Sequence, residues 1–391
     1  MHVVVAPDSF KGTATAAAVA AAIGDGWLTT RPDDTVTLLP MADGGEGTLD
    51  AFAAAVPGSR RMPVTVTGPA GAPVDAEWLA LPDGRAVVEL AATSGLPLLS
   101  TLEPDAAQTT GFGEAIAAAL DAGATGLVLG IGGSASTDGG AGLLGALGLG
   151  GVGAGGGAGP GNGSGPGPGS GSGSGSDSAS GSAGPGSLLD GLDGLDELGD
   201  LTTSTLRPLP PLGVTVLTDV TSPLLGPTGA AAVFGPQKGV TPDRVPVHEA
   251  RLAAWAARFP DVDPTTPGAG AAGGAGFGLL VWGATLARGA GAVAAVLGLP
   301  DVVATADVVV TGEGRFDGQS AAGKVASVVC AMAEGRRRML VAGAIDAPVD
   351  GFDAAASLTV IATQTTGEPS DAMADPLRFA RIAGQRLAAR A

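Results

Sequence analysis

The sequence predicts an α/β protein with two domains, one built on a parallel sheet and the other on a mixed sheet. The chain has 391 residues, more than one hydrophobic core usually supports. Short runs of Val, Leu and Ile alternate with alanine-rich helical stretches, which is typical of parallel α/β architecture. Residues 64–90 differ, because their alternating pattern contains Gly-Pro and Asp-Gly turn signals that favour antiparallel hairpins.

Seven short apolar runs are the candidate strands of this architecture. We predict strands over residues 2–6, 36–40, 127–131, 214–218, 307–311, 339–342 and 358–362. Residues 268–287 carry no charge and are rich in Gly and Ala, so we expect a tightly packed internal turn and helix there.

A tract of Gly, Ser, Pro and Ala at residues 150–187 interrupts the alternation. Side chains of these types bury little area, so the tract cannot offset the entropy cost of its own ordering. No Gly-X-Y repeat holds across it, which excludes a collagen helix. We therefore predict a disordered insertion in the second domain.

The composition excludes several classes of protein. The formal net charge of −18 argues against binding to nucleic acid or to anionic membranes, since both need basic surface. The single cysteine, Cys330, can form neither an intrachain disulfide nor a cysteine zinc site. His248 lies in a polar helical stretch and is expected to be solvated. The start of the chain has no basic leader, so a cytoplasmic location is expected.

Polar clusters follow five of the predicted strands, at residues 7–12, 42–48, 132–140, 218–220 and 311–317. Helix capping by Asp or Ser would explain any one of them. In open α/β sheets, however, ligands bind beyond the carboxyl ends of the strands. The five clusters together therefore favour one shared functional site.

Lysine is rare in this chain and lies beside glycine. The lysines are Lys11, Lys238 and Lys324, whereas arginine supplies most of the 20 basic residues. A compact point charge beside bare backbone suits a phosphate group, although chance retention in loops is the alternative. Residues 318–325 nearly match a P-loop, but Val325 replaces the required hydroxyl residue, so we reject that motif. A helix opened by Gly323 and Lys324 would still attract phosphate through its N–H groups.

Seven stretches follow one another from Ala6 to Lys324: APDSFKG, PMADGGEGT, VTGPAG, GIGGSASTDGGAG, FGPQKG, PGAGAAGG and TGEGRFDGQ followed by GK. Together these stretches resemble the bacterial glycerate kinase family, which phosphorylates D-glycerate. The specific signals are ADGGEGT and TGEGRxD. The resemblance does not cover residues 150–187.

The resemblance implies two α/β domains, one of them flavodoxin-like. We expect residues 1–62 and 300–391 to form the flavodoxin-like domain, and residues 63–299 to form the second domain around the insertion at 150–187. The resemblance also implies ATP as co-substrate, Mg²⁺ as cofactor, glycerate as the small-molecule partner and 2-phosphoglycerate as the favoured product.

Phosphoryl transfer needs cations, a magnesium site and an aligned hydroxyl group, and residue types suggest candidates for each role. The catalytic candidates are Lys11, Asp43, Asp219 and Arg315, with either aspartate as the base. The candidates for binding ATP are Gly132, Gly133, Ser134 and Lys324. The candidates for binding glycerate are Asp8, Glu46, Gln237 and Lys238. The candidate magnesium ligands are Asp138, Glu313 and Asp317.

Two other functions stay open at this point. One is an NAD-dependent hydroxy-acid dehydrogenase, although the glycines at 130–133 form an incomplete dinucleotide fingerprint and no catalytic histidine is evident. The other is a sensor module that binds ATP without transferring phosphate. Consumption of ATP only when glycerate is present would separate a kinase from a sensor.

Overall fold

The computed structural model describes residues 1–10, 12–151, 191–197, 200–318 and 324–391. The strands are β1 (His2–Pro7), β2 (Thr35–Leu38), β3 (Arg60–Thr67), β4 (Pro73–Ala80), β5 (Arg85–Glu89), β6 (Gly126–Gly130), β7 (Gly150–Gly151), β8 (Leu201–Thr202), β9 (Val214–Leu217), β10 (Thr285–Ala287), β11 (Val308–Phe316), β12 (Arg337–Ile345) and β13 (Ala354–Ser357). The α-helices are α1 (Ala16–Thr30), α2 (Thr48–Ala55), α3 (Leu90–Ser94), α4 (Thr110–Asp121), α5 (Ala141–Ala146), α6 (Ala230–Phe234), α7 (Val245–Ala256), α8 (Ala275–Trp282), α9 (Gly289–Val296), α10 (Leu299–Ala304), α11 (Val325–Met332), α12 (Leu358–Thr366), α13 (Asp371–Ala374) and α14 (Pro376–Ala388).

The first sheet consists of parallel strands in the order β13-β12-β11-β1-β2. Numbered along the chain within this sheet, the order is 2-1-3-4-5, which is the flavodoxin-like arrangement. β1 lies between β2 and β11, with Val5 beside both Leu38 and Val310. The strand order reverses between β1 and β11, and such a reversal opens a crevice at the carboxyl ends of the two strands.

β1 is buried on both faces, which explains its unbroken apolar run. Val3 and Val5 pack into a cluster with helices α1, α12 and α14, whereas Val4 and Ala6 pack into a cluster on the opposite face. Helices α1 and α14 approach closely because Gly26 has no side chain. A Cβ atom at that position would lie 2.0 Å from the carbonyl oxygen of Arg381.

The second sheet has the order β10-β9-β6-β5-β4-β3. Strands β5, β6, β9 and β10 are parallel, and β3, β4 and β5 pair antiparallel, so the predicted hairpins are confirmed. Helices α4, α5, α7 and α8 cover its outer face around Phe112, Trp255 and Phe277. Together the two sheets form the predicted α/β fold, with one parallel and one mixed sheet.

Helices also fill the space between the two sheets. Val309 of the first sheet and Val128 of the second belong to one hydrophobic cluster with Phe52 of α2 and Val293 of α9. The loop after β2 reaches the end of β9 in the second sheet, because a Cβ atom at Gly44 would lie 2.4 Å from the carbonyl oxygen of Leu217. The proposed boundaries of the two domains stay a prediction.

Six of the seven predicted strands are confirmed, and the prediction for residues 358–362 is wrong. Helix α12 begins at Leu358, and the strand is the preceding segment Ala354–Ser357. The buried residues of α12 are Leu358, Ile361 and Ala362, spaced three and four apart as on one helical face. A short apolar run does not distinguish a strand from the buried face of a helix, and tertiary contacts decide between them.

The expectation that His248 is solvated is also wrong. His248 lies on α7 with 0% exposure, and its Nε2 atom is 3.0 Å from Oδ1 of Asp105. Burial lowers the pKa of this histidine. Its polar neighbours along the chain do not reveal the burial, because it depends on how α7 packs.

The first two residues of the predicted insertion form a short strand. Gly150 and Gly151 form β7, which pairs antiparallel with β8. Residues 152–190 lie outside the described residues, so the predicted disorder of the tract is not tested. None of the helices within the described ranges is long and apolar enough to cross a membrane. The cytoplasmic location stays a prediction.

Candidate active site

A cavity of about 460 Å³ opens where the strand order of the first sheet reverses, and we call it the switch-point cavity. Its charged lining comes from the ends of β1 and β11, the loop after β2 and the start of α11. The charged residues are Asp8, Asp43, Glu313, Arg315, Asp317 and Lys324, and Thr13 and Thr359 add hydroxyl groups. The predicted clusters at residues 7–12, 42–48 and 311–317 therefore meet in one place, as the carboxyl ends of parallel strands should.

Backbone N–H groups hold two of the carboxylates. The N–H of Ser9 donates to the carboxylate of Asp8 at 2.7 Å, and the N–H of Gly45 donates to Oδ1 of Asp43 at 3.0 Å. The backbone of Asp8 is also tied to β11, because its N–H donates to the carbonyl oxygen of Gly312 at 2.8 Å. Both carboxylates thus have defined positions at neighbouring strand ends.

Arg315 and Lys324 bring positive charge to the switch-point cavity. Arg315 has a side chain that is 68% exposed, and its Nη1 atom lies 3.2 Å from Oδ2 of Asp346. Such an exposed ion pair is weak, so the guanidinium can turn towards a bound anion. Lys324 immediately precedes α11, which confirms the predicted helix start. The first N–H groups of a helix have no intrahelical acceptor and favour a nearby anion.

A second cavity, of about 620 Å³, adjoins the first and shares Ser9 and Thr13 with it. We call it the acidic cavity. Its charged lining comes from the loop after β2, from α2 and from β3, β4 and β5. The charged residues are Glu46, Asp50, Arg61, Glu77 and Glu89. Arg61 is ion-paired with both Asp50 and Glu77, so carboxylates dominate this space.

Glu89, at the end of β5, is a site residue that the sequence analysis missed. Its carboxylate accepts hydrogen bonds from the N–H groups of Gly47 at 3.1 Å and Leu49 at 2.9 Å, so it caps α2 from the other sheet. Burial raises the pKa of Glu89 to about 7, although the two backbone hydrogen bonds act in the opposite direction. A single glutamate after an apolar run gives no signal of this role in the sequence.

Ser134 and Lys238 lie together in a buried cluster that lines neither cavity. The Nζ atom of Lys238 contacts the carbonyl oxygen of Ser136 and lies 3.5 Å from Oγ of Ser134. Complete burial lowers the pKa of Lys238 to about 7, with Asp138 acting in the opposite direction. This amine lies in a polar network inside the protein, and the glycerate-binding role of Lys238 stays a prediction.

Asp138 belongs to the same network, and its role as a magnesium ligand stays a prediction against which we propose a structural role. Its Oδ2 atom accepts from the N–H of Thr109 at 2.9 Å, the hydroxyl of Thr109 at 2.6 Å and the N–H of Gly142 at 3.2 Å. Its Oδ1 atom accepts from the hydroxyl of Ser136 at 3.2 Å and the N–H of Gly140 at 3.1 Å. A fully buried carboxylate with five donors is already saturated, so we assign it a structural role.

Four further candidates line neither cavity. The N–H of Gly132 donates to the carbonyl oxygen of Gly44 at 2.9 Å, which joins the loop after β6 to the loop after β2. Gly133 and Gln237 are exposed, and the carboxylate of Asp219 accepts from the N–H of Gly289 at 2.9 Å. Lys11 lies outside the described residues. Within the described ranges, no three His, Cys, Asp or Glu side chains are grouped closely enough to hold a metal ion by themselves.

Comparison with known proteins places the chain among kinases. The model of the glycerate kinase family matches residues 3–164 and 182–390. A glycerate kinase from Bacillus subtilis is 41% identical over 83% of this chain and 79% of its own length. A glycerate 2-kinase from Escherichia coli K12 is 39% identical over 83% and 80%, respectively. A solved structure of a proposed glycerate kinase 2 from Salmonella typhimurium LT2 is 35% identical, with a TM-score of 0.79 over 100% of this chain and 98% of that one.

The chain belongs to the glycerate kinase family. Membership confirms both the resemblance noted in the motifs and the prediction of a glycerate kinase enzyme. The family model leaves residues 165–181 unmatched, and these lie inside the predicted insertion.

The switch-point cavity also has an apolar wall, which the sequence analysis did not predict. The wall comes from the starts of α12 and α14 and from α13, and comprises Leu358, Ala372, Met373 and Pro376. These residues belong to none of the motif stretches, which end at Lys324. The sequence predicts a strand over residues 358–362, so it does not place Leu358 on a helix face. The packing of α12 and α14 on β12, and of α13 on both helices, brings these residues to the site.

Proposed function

We propose that this chain transfers the γ-phosphoryl group of ATP to the C2 hydroxyl of D-glycerate in a reaction that requires Mg²⁺. The observation that carries the proposal is the meeting of cations and carboxylates in the switch-point cavity. Lys324 and Arg315 line the same space as Asp8, Asp43, Glu313 and Asp317. Positioning and charge neutralisation of this kind are the main requirements of phosphoryl transfer.

The donor atoms at the site fit Mg²⁺. The carboxylates at the end of β11, Glu313 and Asp317, supply the hard oxygen ligands that this ion prefers. Mg²⁺ is usually held by one or two carboxylates together with substrate phosphates, so a group of three protein ligands is not needed. When bound, the ion would neutralise charge on the phosphates. Glu313 is 6% exposed, which suits a carboxylate that meets a counter-charge within the site.

Lys324 and Arg315 would bind the anionic groups of the substrates. Lys324, beside the start of α11, is the candidate for the ATP phosphates. Arg315 is the candidate for the glycerate carboxylate, because a guanidinium matches a carboxylate through two parallel hydrogen bonds. Both roles use positive charge in a chain whose formal net charge is −18.

Asp43 is favoured over Asp219 as the base. Asp43 lines the switch-point cavity and its Oδ1 atom is oriented by the N–H of Gly45. Asp219 lines neither cavity, and its carboxylate caps the start of α9 through Gly289. Asp43 would accept the proton of the glycerate hydroxyl as that oxygen attacks the γ-phosphorus and ADP leaves.

Two considerations support 2-phosphoglycerate as the product. The C2 hydroxyl is adjacent to the carboxylate of glycerate, so a clamp at Arg315 would place it close to the phosphate-binding end of the cavity. The relative from Escherichia coli at 39% identity carries the name glycerate 2-kinase.

An assay of ADP formation with and without glycerate tests the proposal. We expect ADP to form only when glycerate and Mg²⁺ are both present. Coupling to enolase without phosphoglycerate mutase should give phosphoenolpyruvate at once, because enolase accepts only the 2-isomer. A requirement for the mutase would show transfer to C3. Binding of ATP without ADP formation when glycerate is present would favour the sensor. Oxidation of glycerate with NAD would favour the dehydrogenase.

A further inference from the structure

We propose that the apolar wall of the switch-point cavity binds the base of ATP and that Met373 is its principal contact. The inference rests on the proposed function, because it assigns one end of the site to the nucleotide. It adds a base-binding subsite formed by the C-terminal helices to the polar site formed by the strand ends.

The exposure of Met373 is the first observation. This side chain lies on the four-residue helix α13 with 71% exposure, while its neighbour Ala372 is 4% exposed and Leu358 is fully buried. The wall therefore has a buried floor and one long apolar side chain at its rim. Methionine is flexible and polarisable, and its sulfur contacts aromatic rings favourably.

The division of the cavity into two ends is the second observation. Charged residues come from the ends of β1 and β11, the loop after β2 and the start of α11, whereas the apolar wall comes from α12, α13 and α14. A nucleoside triphosphate has the same division, with a flat aromatic base at one end and a polyanion at the other. A cavity of about 460 Å³ is also within the usual size range of small-molecule sites.

The acidic cavity is a poor alternative for the nucleotide. It is lined by Glu46, Asp50, Glu77 and Glu89, and Arg61 is already paired with two of these carboxylates. A triphosphate there would meet four carboxylates and a single cation, whereas the four carboxylates of the switch-point cavity lie beside two cations. The switch-point cavity offers Lys324 and Arg315, at the reversal of strand order where open α/β sheets bind ligands.

The test compares Met373→Ala with Leu212→Ala. Leu212 is also strongly exposed, at 66%, but it lines neither cavity, so its truncation is a matched control. Binding of ADP with Mg²⁺ is measured by calorimetry, and inhibition by inorganic tripolyphosphate is measured in the kinase assay. In Met373→Ala we expect the Kd for ADP and the KM for ATP to rise about three- to tenfold, the value of one lost sulfur–aromatic contact. Tripolyphosphate inhibition, the KM for glycerate and Tm should not change.

The remaining outcomes contradict the inference in distinguishable ways. An unchanged affinity for ADP in Met373→Ala would place the base elsewhere, while leaving ATP-dependent phosphorylation by the wild type intact. An equal loss of affinity for ADP and tripolyphosphate would show a general disturbance of the site rather than a lost base contact. Failure of the wild type to form ADP with glycerate would refute the proposed function. The calorimetric comparison of the two variants would still decide where the base binds.

Discussion

Replacing Asp138 with alanine tests whether this residue holds the protein together or binds metal. The substitution leaves three buried N–H groups, those of Thr109, Gly140 and Gly142, without their acceptor. It also removes the carboxylate that stabilises the charged form of the buried Lys238. The structural assignment therefore predicts a large loss of stability.

The size of the effect follows from these contacts. Each buried donor that loses its partner costs about 1 to 3 kcal/mol. Neighbouring effects do not add, so we expect a total of about 4 kcal/mol. For a domain of roughly 200 residues this lowers Tm by roughly 8 to 16 °C. Asp138→Asn should cost about half as much, because the amide oxygen still serves the donors on one side.

Thermal unfolding and magnesium titration of activity separate the two roles. The control is Asp317→Asn, which changes a half-buried carboxylate in the switch-point cavity. We expect Asp317→Asn to raise the Mg²⁺ concentration required for half-maximal activity while leaving Tm within about 2 °C, since Asp317 is only half-buried. Asp138→Asn should instead lower Tm and leave the Mg²⁺ concentration required for half-maximal activity unchanged. An unchanged Tm in Asp138→Asn, together with a raised Mg²⁺ requirement, would refute the structural assignment.

Three further predictions concern Glu89, Lys324 and Arg315. Burial raises the pKa of Glu89 from 4.5 to about 7, so the folded chain binds more protons than the unfolded chain in this window and its free energy of unfolding falls as pH rises. The free energy of unfolding should fall by about 3 kcal/mol between pH 4.5 and 7. Urea denaturation should show that Glu89→Gln lacks this fall. The same pH dependence in both proteins would contradict the prediction. Lys324→Ala should lower kcat/KM about 100-fold with little change in Tm, because it removes one charge contact to the transferred phosphate, and near-wild-type kinetics would exclude that role. Arg315→Ala should mainly raise the KM for glycerate. A fall in kcat alone would show that Arg315 stabilises the transferred phosphoryl group instead.

The architecture follows from local patterns in the sequence. Strands buried on both faces read as unbroken apolar runs, which is why residues 2–6 and 127–131 are correctly predicted. The polar clusters after β1, β2 and β11 meet in the switch-point cavity because parallel strands end at the same edge. The resemblance carried by the motifs supplied the flavodoxin-like order of strands, which apolar periodicity alone allows but does not specify.

Tertiary structure decided which polar residues face a ligand. Lys238 and Lys324 both lie beside glycine, and Asp138 and Asp43 both precede a pair of glycines. Yet Lys238 and Asp138 are buried in a hydrogen-bonded network, whereas Lys324 and Asp43 line the cavity. Sequence patterns record residue type and spacing along one chain, whereas burial depends on contacts between segments far apart in sequence. Met373 and Glu89 reach the two cavities only because α13 packs at the end of the first sheet and β5 ends beside α2.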